Sequence, residues 1–139
     1  MAFVIKAEVA DPRARTFAFP SQKTMYGGKN VAAGEEIFIF ASENEGGSGL
    51  IAMGLVTSAK AVARRPGVAR QTPRVSISIQ RTAHAKRSLG RRDLKPFSHW
   101  DDGRPQTELN FKFYRQATNK IAGISDQAAA FLRGFFTAC

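Results

Sequence analysis

The sequence predicts an α+β fold: a small, partly open β-barrel of five to six strands with one C-terminal helix packed on it. Three observations predict it. Short segments rich in β-branched and aromatic residues alternate with Gly- and Pro-containing turns. The run Ile37 to Phe40 is apolar on both faces, as expected of a barrel strand covered outside by a helix. A single amphipathic helical stripe closes the chain. With 139 residues, 43% of them hydrophobic, the chain reads as one domain over 1–139 with one core.

Taken in order, Ala2 to Glu8 is a first strand, with Phe3 and Ile5 on one face and Val4 and Lys6 on the other; Asp11-Pro12 ends it. Thr16 to Phe19 is a second short extended piece closed by Pro20. Residues 21–34 read as an ordered loop or a single helical turn. Glu35 to Ser42 and Leu50 to Ser58 flank the Gly-rich Glu45-Gly46-Gly47-Ser48-Gly49 and make a hairpin. Arg74 to Thr82 alternates, with Val75, Ile77 and Ile79 inward. Leu109 to Tyr114 reads as a further strand with Phe111 and Phe113 on one face, and a short helix or turn falls around Ser88 to Leu94. In the last element Ser125 is the N-cap, Ile124 staples onto Ala129, and Ala128, Phe131, Leu132 and Phe135 recur at helical spacing as core packing.

Charge is concentrated in one segment. The whole chain has 21 Lys and Arg against 11 Asp and Glu, a net charge of +10. Residues 60–95 hold eleven basic side chains and one acid, Asp93, so this quarter of the chain carries the entire excess. Eight of the eleven are arginines, whose forked guanidinium suits phosphate oxygens and stacks on bases. A solvated face explains such a segment blandly. A polyanionic partner, nucleic acid first, explains its local concentration; a membrane surface fits less well, because no apolar helical stripe accompanies the basic residues.

Other chemistry is sparsely represented. His84, His99 and Cys139 give no zinc spacing, so neither metal nor cofactor is expected. No Gly-x-Ser-x-Gly elbow is present. Gly47-Ser48-Gly49-Leu50-Ile51-Ala52 matches a loose dinucleotide fingerprint, but β-favouring residues follow it, which makes these glycines turn residues. Asp101-Asp102-Gly103 reads as an Asp-Gly turn before it reads as an acid–base pair. Trp100, Tyr114, Tyr26 and Phe97 lie beside polar residues and prolines, where rings pack half-buried or stack a nucleobase. One unpartnered cysteine and no signal-like or membrane-spanning run point to a reducing, cytoplasmic setting.

Several short motifs also occur in a defined order. Ile5-Lys6-Ala7-Glu8 closes the first strand; Val31-Ala32-Ala33-Gly34-Glu35 leads into Glu36-Ile37-Phe38-Ile39-Phe40-Ala41-Ser42. Gly49 to Val56 returns, and Tyr114-Arg115-Gln116 precedes Ile124-Ser125. This series resembles the EVE domain, of the PUA-like β-barrel superfamily that also includes YTH and ASCH domains. Ala7 stands where the family has Ser, Ala41 where it has His, and the loop Tyr26 to Asn30 is shorter.

The resemblance implies a non-catalytic pocket on the barrel that receives a nucleobase, often a modified one, flipped out of its strand. Ser42, Asn44, Trp100, Tyr114, Arg115 and Gln116 are the residues expected near it. Arg64, Arg65, Arg70, Arg74, Arg81, Lys86, Arg87, Arg91 and Arg92 are expected to hold the phosphate backbone of DNA or RNA. Two other readings stay open. One is an ASCH-like enzyme acting on a nucleoside or RNA with Lys29 and Glu35 or Glu36 as acid–base groups; the other is a basic module that docks an acidic protein.

Overall fold

The computed structural model describes residues 2–43, 46–63, 66–67, 72–99, 101–114 and 119–137. Six strands, β1 (Ala2–Ala7), β2 (Thr16–Met25), β3 (Glu36–Ala41), β4 (Gly49–Ala61), β5 (Arg74–His84) and β6 (Lys120–Ile124), pair in the order β1-β3-β4-β5-β2-β6. The barrel is closed rather than partly open, because β6 pairs antiparallel with β1 and parallel with β2 through Thr24 and Met25. Closure removes the sheet edges that an open barrel would expose.

Alternation along the strands creates two cores. Phe3 and Ile5 of β1, Ile37 and Ile39 of β3, and Val75, Ile77 and Ile79 of β5 point into the barrel with Phe17 and Phe19. Val4, Phe38 and Phe40 point outward and are equally buried, beneath Leu109, Phe113, Ala128, Leu132 and Phe135 of the helical layer. Strands buried on both faces must be apolar on both, which explains the unbroken run in β3. The helical layer consists of α1 (Arg91–Leu94), α2 (Pro105–Leu109), a π-turn (Asn110–Tyr114), α3 (Asp126–Arg133) and a 3-10 turn (Gly134–Phe136).

Ser125 caps α3 as its sequence predicts, its Oγ accepting from the Ala128 N–H at 3.1 Å. Glu108 of α2 accepts from both the N–H and the hydroxyl of Ser125, which joins the two helices. Arg133 closes α3 onto β3 through Glu36 at 2.6 Å.

Three sequence expectations need correction. β2 does not stop at Pro20 but runs to Met25 through a bulge between Phe19 and Gln22, where Ser21 has φ 50°. The Ser21 N–H donates to Ser76 Oγ and its carbonyl accepts from Arg74, so cross-strand partners hold the bulge. Leu109 to Tyr114 is helical, not a strand: Leu109, Asn110 and Phe113 are buried, a helical spacing that the Phe111 and Phe113 alternation disguised. The sixth strand is instead β6, whose Lys-Ile-Ala-Gly-Ile is too short and too rich in small residues to read as one. The single helical turn expected in 21–34 is a 3-10 turn, Gly28–Asn30. It presses so closely on β6 that a Cβ at Gly28 would lie 2.1 Å from the Ile121 carbonyl oxygen.

Candidate nucleic-acid interface

Strand direction gathers the candidate residues at one end of the barrel. β1 and β3 run parallel and finish together, Ala7 opposite Ala41, while antiparallel β6 begins there with Lys120 opposite Lys6. Ser42 follows β3, its N–H donating to the Ala7 carbonyl at 2.8 Å. The π-turn covers this end from outside, with the Phe113 ring 5.1 Å from that of Phe40. Lys6 Nζ donates to the Phe113 carbonyl at 3.0 Å and lies 5.3 Å from the Tyr114 ring centroid.

Tyr114 forms a wall between this floor and α1. Its hydroxyl donates to Glu43 Oε1 at 2.9 Å, and the same oxygen accepts from the Arg91 N–H. Burial, reinforced by Glu43, pushes the phenol well above its usual range, so Tyr114 stays neutral and remains a donor. Beside it a cavity of about 250 Å³ is lined by Arg91, Lys95, Ser98, Asn110 and Tyr114. Asn110 is itself fixed by its Nδ2 donating to the Phe97 carbonyl at 2.9 Å. An aromatic wall with Ser98, Asn110 and a cationic rim can stack a planar ring, read its polar edge and hold a phosphate.

Of the expected base-pocket residues, Ser42 and Tyr114 come to this end; Asn44, Trp100, Arg115 and Gln116 lie outside the described residues. Tyr26 stands elsewhere, 44% exposed, with Lys112 Nζ 5.1 Å from its ring. It belongs to a second cleft of about 440 Å³ that includes Arg104, Thr107, Glu108 and Phe111.

The expected phosphate-binding cations divide into two groups. Arg74 donates to the Ser21 carbonyl, Arg81 to the carbonyls of Arg13 and Ala14, and Arg87 to that of Gly134 while lying 4.6 Å from the Phe135 ring centroid. Those guanidinium groups hold the protein's own loops. Lys86, Arg91 and Arg92 are exposed on the segment before and within α1. That segment is anchored beside the start of β4 by Leu50 N–H to the Leu89 carbonyl and Ala85 N–H to that of Ile51, next to the Tyr114 cavity. Arg74 pairs with Lys23 at the other end of the barrel. Arg64, Arg65 and Arg70 lie outside the described residues.

Other candidates resolve into structural roles. Asp102 accepts from the Arg104 N–H and the Thr107 hydroxyl, each at 2.9 Å, and these bonds hold its carboxyl below the usual range; it braces the turn that leads into α2. Glu36 is engaged by Arg133, and Lys29 is exposed on its 3-10 turn. A lysine–carboxylate pair that the fold does bring together is Lys112 and Glu108, 3.1 Å apart. Burial pushes Glu108 up, but Ser125 and Lys112 outweigh it and keep the carboxyl ionised. Among the described residues, no three His, Cys, Asp or Glu side chains converge as a metal site, and no helix is long and apolar enough to cross a membrane.

Sequence reasoning singled out neither Lys120 nor Glu43 as site residues, and it met Lys6 and Lys95 only as parts of a strand, a motif and the basic segment. Lys6 had a signal: it is the one charged residue in a strand otherwise wholly apolar.

No protein-family profile and no curated protein sequence matches the chain. Solved structures do. The DUF55 domain of human thymocyte nuclear protein 1 superposes with a TM-score of 0.65 at 14% identity, over 96% of this chain and 97% of that one. The human THYN1 protein, solved in complex with 5-methylcytosine-containing DNA, gives 0.64 at 16% identity over 99% of both chains. A protein from Pseudomonas putida gives 0.64 at 12% identity, over 97% of this chain and 99% of that one. The chain therefore shares the fold of these structures.

Proposed function

We propose that this chain is a non-catalytic, EVE-type nucleic-acid-binding domain that holds one base, often a modified one, at the Tyr114 end of its barrel. The observation that carries this reading is the convergence of Tyr114, Ser42 and the exposed cations Lys86, Arg91 and Arg92 on one end of the barrel. A protein of the same fold in complex with methylated DNA supports it. In this reading the base leaves its stack, lies against the Tyr114 ring and presents its polar edge to Ser98 and Asn110. The rim cations take the flanking phosphates. Their contribution sets affinity, and the pocket sets selectivity.

The test is binding to single- and double-stranded DNA and RNA at two salt concentrations. Each phosphate contact is expected to contribute a slope of about −0.9 in log affinity against log salt on duplex DNA. Absence of binding at low salt, or binding indifferent to salt, contradicts the reading.

A further inference from the structure

The excess charge of the sequence falls in residues 60–95, yet the fold brings two further arginines to the Tyr114 end of the barrel. β4 starts opposite Ala41 and β5 ends opposite Ala52, so both strands meet at that end. β2 and β5 pair antiparallel with Thr16 opposite Gln80, and the residues that precede β2 therefore lie alongside those that follow Gln80. The Arg81 N–H donates to the Arg15 carbonyl at 2.8 Å, and its guanidinium donates to the carbonyls of Arg13 and Ala14. Arg81 thus pins the loop before β2 against the end of β5. Asp11 Oδ1 accepts from the Arg13 N–H at 3.0 Å and fixes the turn, which leaves the Arg13 and Arg15 side chains exposed.

From Arg81 the chain passes through His84 to Lys86, whose N–H donates to the Phe135 carbonyl at 2.6 Å. Partial burial first, and then the positive charges of Arg81, Arg13 and Lys86, hold the His84 imidazole below the usual histidine range, against a hydrogen bond to the Ile51 backbone. β4 sets only the uncharged Ile51, Ala52 and Met53 beside this stretch. The acids before β2, Glu8 and Asp11, line a separate cavity of about 530 Å³ with Phe17 and Phe19. Among the described residues no ion pair neutralises Arg13, Arg15, Arg81 or Lys86. Cations gathered in this way repel one another, and a polyanion offsets that repulsion.

We propose that Arg13, Arg15 and Lys86 form a phosphate track that continues the rim of the Tyr114 cavity along the β2–β5 side of the barrel, so that the partner is a nucleic-acid strand running on past the bound base and not a free nucleoside. This track rests on the reading of the pocket given above and adds to it the path of the strand. Lys86 joins the two parts: its charge reaches His84 on one side, and the segment it opens leads into α1 with Arg91 and Arg92 on the other. Guanidinium groups fork onto phosphate oxygens, and each such contact adds both affinity and salt dependence. Phosphates seated along the track bring negative charge to His84 and favour its imidazolium form.

The experiment uses the DNA or RNA that the wild type binds more tightly, as a strand of about twelve nucleotides, within the span a small barrel covers, and as a trinucleotide. Both lengths are titrated across salt concentrations into the wild type, into Tyr114→Ala, and into Arg13→Gln combined with Arg15→Gln, whose unfolding midpoint is measured alongside. NMR follows the His84 imidazole through pH with and without the long strand. The double variant is expected to keep the wild-type midpoint and the wild-type affinity for the trinucleotide. It binds the long strand more weakly, with a log–log salt slope shallower by about 1.4–1.8, from two contacts at about 0.7–0.9 each. The long strand raises the His84 titration in the wild type and raises it less in the double variant. An unchanged slope and affinity for the long strand, or a His84 titration that the strand does not move, overturns the track and leaves the pocket reading standing. If the slope depends on Arg13 and Arg15 while Tyr114→Ala changes nothing at either length, the pocket reading falls and the track stands. If neither length binds at low salt, both fall.

Discussion

The π-turn meets β6 at two places, and the lysines at the two differ in burial and in the charge set beside them. Toward the end of β6, Lys112 pairs with Glu108 at 3.1 Å and donates to the Gly123 carbonyl at 2.7 Å, while Glu108 also accepts from Ser125. Charges and donors are matched there, and the product is a joint between α2, β6 and α3. Toward the start of β6, Lys6 and Lys120 are set side by side and buried more deeply than Lys112, whose side chain is 17% exposed. Like charges brought together out of water raise the free energy of the folded chain.

The contrast can be broken at its matched side first. Glu108→Ala leaves Lys112 with only the Gly123 carbonyl and the Ser125 N–H without its acceptor, and is expected to cost about 2–4 kcal/mol in denaturant unfolding. A loss under about 0.5 kcal/mol would mean that the matched site is not a structural joint.

The more deeply buried Lys6–Lys120 side should respond with the opposite sign. Lys120→Met removes a buried ammonium at similar volume and is expected to stabilise the protein at pH 7 by about 1–3 kcal/mol. The wild type gives the same information through pH. Its folded Lys120 titrates at about 8, below the unfolded value of 10.5, so the folded chain loses this proton first. The destabilisation is complete below pH 8 and is relieved as pH rises from about 8 toward 10.5, so wild-type stability should climb through that window relative to Lys120→Met. Parallel pH profiles for the two proteins would contradict the burial of a charged Lys120.

Two smaller effects sharpen the comparison. Tyr114→Phe loses only the bond to Glu43 and should cost about 1 kcal/mol, while leaving the phenolate absorbance change of the folded protein in alkaline solution nearly unaltered, because burial and Glu43 keep the Tyr114 phenol neutral there. Glu36→Gln weakens an ion pair whose Arg133 side chain is 51% exposed, and should cost less than about 1 kcal/mol and vanish in high salt. A larger cost there would show that exposure is a poor guide to what these charges contribute.

Much of the fold was legible in the residues, because most elements obey one period. Phe3, Ile5, Ile37 and Ile39 alternate, Ser125 sits where a cap belongs, and the two-faced apolar run in β3 announced its helical cover. The failures came where two periods fit the same residues or where tertiary contact supplies what local sequence lacks. Phe111 and Phe113 satisfy a strand pattern, yet Leu109 and Phe113 satisfy a helical one, and packing on Phe40 selected the second. β6 carries little strand propensity and exists because β1 and β2 both have an edge for it. The site was legible in part: Tyr114 and the charge of 60–95 stood out, whereas Lys6 and Lys120 lie 114 positions apart and acquire meaning only when β1 and β6 pair. The arginines also separated in a way that composition cannot show, since Arg74, Arg81 and Arg87 bind backbone carbonyls.

The most direct test concerns the rim cations that distinguish the Tyr114 end from the rest of the barrel. Lys86, Arg91 and Arg92 are replaced together by Ala, and affinity for one oligonucleotide is measured across salt concentrations beside the wild type. The account predicts weaker binding with an unchanged unfolding midpoint, and a log–log salt slope shallower by about 0.7–0.9 for each cation that meets a phosphate. An unchanged slope and an unchanged affinity would contradict it.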